Sequence, residues 1–288
     1  MNNLSAVPDD RGARASGQPS NLSLDVEFAF RSDPGRQRDH NEDYIGHTAP
    51  GSPALARSHG WLFVLADGVG GTEKGEVASR TAVEYITAGY RQASSSEGVS
   101  ALLVRLAQEA NVRIYETGRS HSPGGTSMAT TLVACAFRWD RLVVAHAGDS
   151  RCYLIRQGRT TLLTRDHTVA QEQARIGLIS SKEAAEAPTR HVLSRSLGTD
   201  LFVNIETSDI QVYPGDVLLQ CCDGLYHSVE GTEMAAVAGG GNDLGVAAKR
   251  LVDIANQRDG SDNISVQLIR VRSVERVGMY RGRPYKLR

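Results

Sequence analysis

Cysteine is scarce, with four in 288 residues, at positions 135, 152, 221 and 222. None has Cys-x-x-Cys spacing, so neither a disulfide framework nor a thiolate zinc site is indicated, and a reducing compartment fits. No stretch approaches the ~18 consecutive apolar residues of a membrane-spanning helix. The start, MNNLSAVPDDRGARASGQPS, lacks the apolar run of a signal peptide. Net charge is almost absent, because 32 Lys and Arg stand against 33 Asp and Glu. A chain without a net positive field is no bulk nucleic-acid or membrane-surface binder. The expectation is a soluble, cytoplasmic protein with no nucleic-acid partner and no membrane span.

What is present is ordinary globular material, 40% hydrophobic and 23% charged. The length allows one large domain or two small ones and can bury a core without staples. Residues 1–23 are rich in Ser, Pro, Gly, Asn and Asp and are expected to form a disordered leader. From Leu24 the pattern changes, with Leu24, Val26, Phe28 and Phe30 recurring at the period of a half-buried strand. Trp61 to Ala66 (WLFVLA) is short and continuously apolar, a buried strand that delivers Asp67 at its end. Helices are expected over Val77–Tyr90 and from Val99 to Ile114, the latter with Leu102, Leu103, Leu106 and Ala110 on one apolar face. Strands follow at Met128–Phe137, Arg141–Ala147, Cys152–Arg156 and Arg159–Thr164, with hairpin turns at Trp139-Asp140 and Gln157-Gly158. Residues 168 to about 200 read as helix and loop. Strands at Val203–Val212 and Asp216–Cys222, a helix at Leu244–Asn256 and a strand at Asn263–Val271 complete the pattern. Strands come in runs with helices between the runs. That favours an α+β layer sandwich of antiparallel sheets over a doubly wound parallel fold. One domain is expected over 24–272, followed by a basic C-terminal tail over 273–288, a solvated end or an anionic-surface contact.

The informative residues are acids beside glycine at the ends of apolar strands: Asp67 in LADGVGG, Asp223 in QCCDGLYH, and Asp262 in GSDNISV. Glu42 and Asp43 form a further pair in RQRDHNEDY. A lone Asp-Gly is usually a turn. Three in like positions, each against a hydrophobic strand, read as a hard-oxygen site, because a carboxylate at the mouth of a core needs a cation. Several carboxylates without clustered His or paired thiolates suit Mg²⁺ or Mn²⁺ rather than Zn²⁺. Four or five carboxylates suit two ions, the arrangement that cleaves phosphate esters by acidifying a water and clamping the oxygens of an in-line displacement. Arg38, four residues before Glu42, is placed to grip phosphate with its guanidinium fork. Cys222 reads as a small core residue rather than a ligand.

The ordered set Arg38-x-x-Asn41-Glu42-Asp43, Asp67-Gly68-x-Gly70-Gly71, Gly125-Thr126-Ser127, Gly148-Asp149-Ser150-Arg151, Asp223-Gly224-Leu225 and Asp262-Asn263-Ile264-Ser265-Val266 resembles the metal-dependent serine/threonine protein phosphatases of type 2C, the PPM family, in its short bacterial branch. The resemblance covers about residues 25–272. It implies two antiparallel sheets packed as a sandwich with helices on both outer faces (αββα). It implies hydrolysis of phosphoserine and phosphothreonine by direct attack of a dimetal-bound water. Asp67 would bridge two Mn²⁺ or Mg²⁺ ions and the Gly68 carbonyl would bind the second. Asp223 and Asp262 would complete the first, Glu42 and Asp43 would serve the second, and Arg38 would hold phosphate. Asn263 would steady the Asp262 turn, and Asp149 would belong to a weaker third metal position. The segment from Asp166 to Gly198 is similar to the family's flap beside the cleft and reads as a marginally packed lid. The implied partners are phosphorylated proteins and a cognate serine/threonine kinase, with the chain itself a monomer.

Two positions depart from the family pattern. Val69 stands where eukaryotic members often carry a histidine that protonates the leaving group, and an aliphatic side chain carries no proton. His227 replaces the second acid of the Asp-Gly-Leu-x-Asp block, and a neutral imidazole suits hard Mg²⁺ poorly at the third position. His47, His59, His121, His146, His167 and His191 show no mutual spacing that suggests ligation and are taken as structural. The competing reading is a non-enzymatic regulator that binds phosphoproteins on the same fold. It is disfavoured because degenerate relatives lose core acids and this chain keeps Asp67, Asp223 and Asp262.

Overall fold

A computed structural model describes residues 24–69, 74–94, 97–120, 128–280 and 283–286. The leader over 1–23, His121, Gly70, Gly71 and Gly125-Thr126-Ser127 lie outside the described residues. In chain order the first half runs β1 (Leu24–Asp33), β2 (Asp43–Thr48), α1 (Pro53–Ser58), β3 (Trp61–Asp67), α2 (Gly75–Gln92), α3 (Val99–Ser120), β4 (Leu132–Arg138), β5 (Arg141–Ala147), β6 (Arg151–Arg156) and β7 (Arg159–Leu162). The second half runs α4 (Val169–Arg175), α5 (Ser181–Glu186), a 3₁₀ turn (Pro188–His191), β8 (Glu206–Gln211), β9 (Val217–Cys221), α6 (Asp223–Tyr226), α7 (Gly231–Ala238), α8 (Leu244–Arg258), β10 (Ile264–Val274), β11 (Val277–Tyr280) and β12 (Arg283–Lys286).

Two five-stranded antiparallel sheets carry the fold, ordered β1-β10-β9-β6-β7 and β2-β3-β4-β5-β8. They pack face to face over Phe28, Trp61, Phe63, Val133, Phe137, Leu154, Leu218 and Ile269. The outer face of the second sheet is covered by α2 and α3 through Leu62, Val64, Ala82, Ile86, Leu103, Leu106 and Ile114. The outer face of the first is covered by α7 and α8 through Leu219, Met234, Ala248 and Leu251. This layering explains why the segment at 61–66 is apolar at every position. Trp61 and Phe63 face the other sheet while Leu62, Val64 and Ala66 face the helices, so both faces of β3 are dry. Ala66, Ala134, Ala136, Ala145 and Ala147 form the floor beneath α2 and α3, and their small side chains let the helices lie close to the sheet.

The α+β sandwich read from the strand runs is the observed architecture. Both predicted hairpins occur, with Trp139 at φ 57° and Gln157 at φ 52° in the left-handed region that tight hairpin turns require. The strand expected from Met128 begins at Leu132, because the preceding backbone is taken up elsewhere. Thr130 N–H donates to Leu197 O at 3.1 Å and Thr131 N–H to Asp67 O at 2.8 Å. The strand expected from Val203 begins at Glu206, and the one expected to end at Val271 runs to Val274. Half-buried β2 and helix α7 had no clear periodicity to announce them. Beyond residue 272 the chain continues β10 and then forms the β11–β12 hairpin. Among the described residues no helix is long and apolar enough to cross a membrane.

Phe63 is fully buried among Phe28, Trp61 and Phe137 between the sheets. Phe63→Ala is expected to destabilise the fold by about 3–5 kcal/mol through the cavity it leaves. Chemical denaturation measures this, and a loss below about 1 kcal/mol would contradict the packing described.

Candidate metal centre

The acids meet at one end of the sandwich, where strand ends from both sheets turn into loops. Asp43 opens β2 and Asp67 closes β3, and the register places them directly opposite each other. The Asp67 backbone is fully engaged. Its N–H donates to Thr131 Oγ1 at 2.9 Å, while its carbonyl accepts from Thr130 Oγ1 and Thr131 N–H, both at 2.8 Å. The next residue must be Gly68, since any Cβ there would run into the Gly75 backbone at the start of α2 and the Glu42 carbonyl. Gly68 N–H donates to that Glu42 carbonyl at 3.1 Å, and Ser79 Oγ on α2 donates to it at 2.6 Å. Strand end, acidic loop and helix start are thereby pinned together.

Asp223 and Asp262 arrive from the other sheet. Asp223 is the first residue of α6, immediately after β9. Gly224 lets this turn lie against the Asp262 loop, because a Cβ there would strike the Asn263 carbonyl. Asn263 does more than steady the Asp262 turn. Its Oδ1 accepts from Glu42 N–H at 2.8 Å, and its Nδ2 donates to Pro34 O and His40 O, both at 2.9 Å. The loop carrying Arg38, Asn41 and Glu42 is thus stitched onto the Asp262 turn across the sandwich. Asn41 Oδ1 in turn accepts the Asp43 N–H at 3.1 Å.

The electrostatics show how crowded the pit is. Neither carboxylate oxygen of buried Asp43 has a hydrogen-bond partner of sound geometry among the described residues. Burial pushes its carboxyl up to about 6, only partly offset by the Ser265 hydroxyl and Cys222 thiol beside it. Asp67 is pushed well above the carboxylate range by burial and then by the charges of Asp43, Asp223, Asp149 and Asp262. Burial, with Asp149, Asp262 and Asp43 adding to it, raises Asp223 to about 8. Burial and Asp166 raise Asp149 to about 6. Burial and Glu76 raise Glu42. The chain therefore brings Glu42, Asp43, Asp67, Asp149, Asp223 and Asp262 within electrostatic reach of one another from five separate segments. Oxygens of Asp43 and Asp67 and the Cys222 sulfur lie within 4.8 Å of one another. Cys222 itself is a buried thiol, raised far above its usual range by burial and the acids around it, so it stays protonated as a core residue does.

Arg38 stands at the rim and donates to Asp262 Oδ2 at 2.9 Å, with both side chains about two-fifths exposed (44% and 38%). Val69 points no proton donor into the site, and its N–H is spent on Ala129 O at 2.9 Å. The flap-like segment over 166–198 is rooted by Arg151, whose guanidinium grips Asp166 through two bonds of 2.9 and 2.7 Å and lies 3.6 Å from the Tyr226 ring centroid. Its outer part, α4, α5 and the 3₁₀ turn, leaves Ile176, Leu178 and Val192 at least half exposed.

Two groupings of histidines escaped sequence reasoning, because their members are far apart in the chain. His146 and His167 stack at 4.8 Å between centroids, with Glu206 beside them. His167 Nδ1 accepts from Gly148 N–H at 3.2 Å and its Nε2 meets Glu206 Oε2 at the same distance, which is a structural clasp. His191 and His227 also come together, beside Asp223.

Two antiparallel sheets packed with helices on both outer faces are the architecture of solved serine/threonine phosphatase structures. The chain belongs to the protein phosphatase 2C family, whose model matches residues 36–242, and is with it a protein-serine/threonine phosphatase. It is 34% identical over 257 residues to the serine/threonine phosphatase stp of Listeria welshimeri, covering 88% of this chain and 97% of that protein. The crystal structure of the Mycobacterium tuberculosis phosphatase PstP/Ppp superposes with a TM-score of 0.75 at 30% identity, covering 86% of this chain and 99% of that one. A structure of the PstP catalytic domain in complex with two manganese ions superposes with a TM-score of 0.73 at 30% identity, again covering 86% and 99%.

In the metal-free chain the raised carboxyls hold protons that an unfolded chain, with carboxyls near 3.8, has already released. Stability from this source is full below about pH 4 and is lost as pH rises through about 6 and then about 8. The chelator-treated protein is therefore expected to melt at a lower temperature at about pH 8 than at about pH 5.5. Saturating Mn²⁺ is expected to raise the midpoint more at the higher pH, by removing that repulsion. Differential scanning calorimetry measures both, and the reverse order would contradict the crowding described.

Proposed function

We propose that this phosphatase hydrolyses phosphoserine and phosphothreonine on proteins in a single displacement by water, with no covalent enzyme intermediate, at a centre for two Mn²⁺ or Mg²⁺ ions. Support comes above all from the buried carboxylate of Asp43, which faces Asp67 and among the described residues has no hydrogen-bond partner of sound geometry. A buried charge of this kind is tolerated only when a cation completes it. The donor set is oxygen throughout, as hard divalent ions require. The manganese-bound relative points the same way.

In this reading Asp67, the Gly68 carbonyl, Glu42, Asp43, Asp223 and Asp262 would together hold the two ions, with Asp67 between the two groups of ligands. Asp149, also raised and buried, would serve a third ion if one binds. Bound ions supply the positive charge and Lewis acidity that make water a nucleophile at neutral pH and balance charge on the phosphoryl oxygens. The chain's residues do the rest. Arg38 exchanges its solvent-accessible bond to Asp262 for the substrate phosphate and orients it by its fork. Asn263 and Ser79 keep Glu42 and the acidic loop fixed while this happens. Val69 supplies no proton to the departing alkoxide, so that proton has another source in the pit. The substrates are phosphorylated proteins, and a serine/threonine kinase acting on the same targets is the natural counterpart.

Purified protein is expected to release phosphate from a phosphothreonine peptide only with Mn²⁺ or Mg²⁺ present. Asp67→Asn is expected to lower turnover by more than about a hundredfold, beyond the 10–100-fold typical of residues one step removed from a metal. Arg38→Ala is expected to raise KM for the peptide more than it lowers kcat. Turnover that survives a strong chelator would overturn the reading. Metal-dependent capture of the peptide without phosphate release would favour a binding regulator instead.

A further inference from the structure

Among the described residues three groupings of His, Cys and acidic side chains bring candidate ligand atoms within 4.8 Å of one another. One is the Asp43, Asp67 and Cys222 corner of the acid pit. In the second, His146, His167 and Glu206, both His167 nitrogens are engaged, by Gly148 and Glu206, and His146 Nε2 is engaged by the Arg165 backbone, so that set is a clasp. The third differs. His191 ends the 3₁₀ turn of the flap-like segment, while His227 caps α6 with its N–H on Asp223 O at 3.0 Å. Their rings sit 5.0 Å apart at 78°, both open to solvent. Among the described residues neither ring has a hydrogen-bond partner. His227 Nδ1 lies 3.9 Å from Asp223 Oδ2.

We infer that His191, His227 and Asp223 form a binding site for a borderline divalent transition ion, with Zn²⁺ as its best fit, and that this ion fastens the flap to the catalytic core. Two imidazoles and one carboxylate with an open fourth position are a tetrahedral zinc donor set, whereas Mg²⁺ demands oxygens. Tetrahedral zinc with nitrogen ligands needs donors about 3.3 Å apart, and solvent-facing rings can rotate to close that gap. The surrounding charge favours a cation, because Asp149, Asp262 and Asp43 all act on Asp223. The replacement of an acid by His227, which weakens any hard-ion position there, is the same change that creates this softer one. His191 comes from a different element, so occupancy ties the 3₁₀ turn to α6 across the mouth of the pit. Because the ion takes an oxygen of Asp223, Zn²⁺ at this site competes with the cations of the proposed phosphatase centre.

The test is equilibrium dialysis of the full chain against Zn²⁺ in a large excess of Mg²⁺, with bound zinc read by atomic absorption. The wild-type chain is expected to retain one equivalent of Zn²⁺ more than either His191→Ala or His227→Ala, each of which weakens that binding by at least about tenfold. His227→Asp is expected to lose the zinc preference as well. Both histidines are exposed, so the alanine variants are expected to melt like the wild-type chain in chelator. Equal zinc content in wild-type and both alanine variants would overturn the inference. The readout is bound zinc rather than turnover, so failure of the phosphatase reading registers separately, as absent phosphate release from the wild-type chain.

Discussion

Mutual repulsion among buried carboxylates is the constraint around which this molecule is organised. Burial first, and neighbouring acids next, push the carboxyls of Asp43, Asp67 and Asp223 up, so the fold alone makes their charged state unfavourable. Among the described residues the oxygens of Asp43 have no hydrogen-bond partner of sound geometry to offset that burial. The rest of the structure counters the repulsion mechanically. Backbone groups of Asp67 are saturated by Thr130 and Thr131, Asn263 bonds three separate backbone groups, and α2 is seated directly on Gly68.

The sandwich supplies the rigidity that such a cluster needs. The acids lie at ends of strands or the turns beside them, and those strands are gripped on both faces by apolar layers. Strand β3 is the clearest case, with aromatic residues toward the first sheet and aliphatic ones toward α2 and α3, ending abruptly in Asp67. Pulling that strand out of register by one residue would invert both layers and remove the acid from the pit. Packing and electrostatics are therefore coupled at the same few positions. The flap-like segment contrasts with this, since it is held at its root by Arg151, Asp166 and His167 and leaves large apolar side chains exposed further out.

Much of this was legible in the sequence, for reasons that can be named. A continuous apolar run of six residues ending in Asp-Gly located Asp67, and a similar run broken only by Gln220 located Asp223. Helix periodicity located α2, α3 and α8 to within a few residues except for the C-terminal turns of α3. The short half-buried strand β2 lacked a period long enough to read, and its role became visible only through pairing with β3. The work of Thr130, Thr131 and Ser79, and the reach of Asn263 beyond the Asp262 turn, was invisible beforehand, because hydrogen bonds to distant backbone leave no pattern in neighbouring residues. The same holds for His191, taken as structural from its spacing yet brought to His227 by the fold of the flap-like segment.

The central claim is that the carboxylates of Asp67 and its neighbours exist to hold divalent cations. Anomalous diffraction from a crystal grown with Mn²⁺ tests it most directly. The account predicts two manganese peaks flanking Asp67, one nearer Asp223 and Asp262 and the other nearer Glu42 and Asp43. Manganese absent from that pit, or bound only elsewhere on the surface, would contradict it.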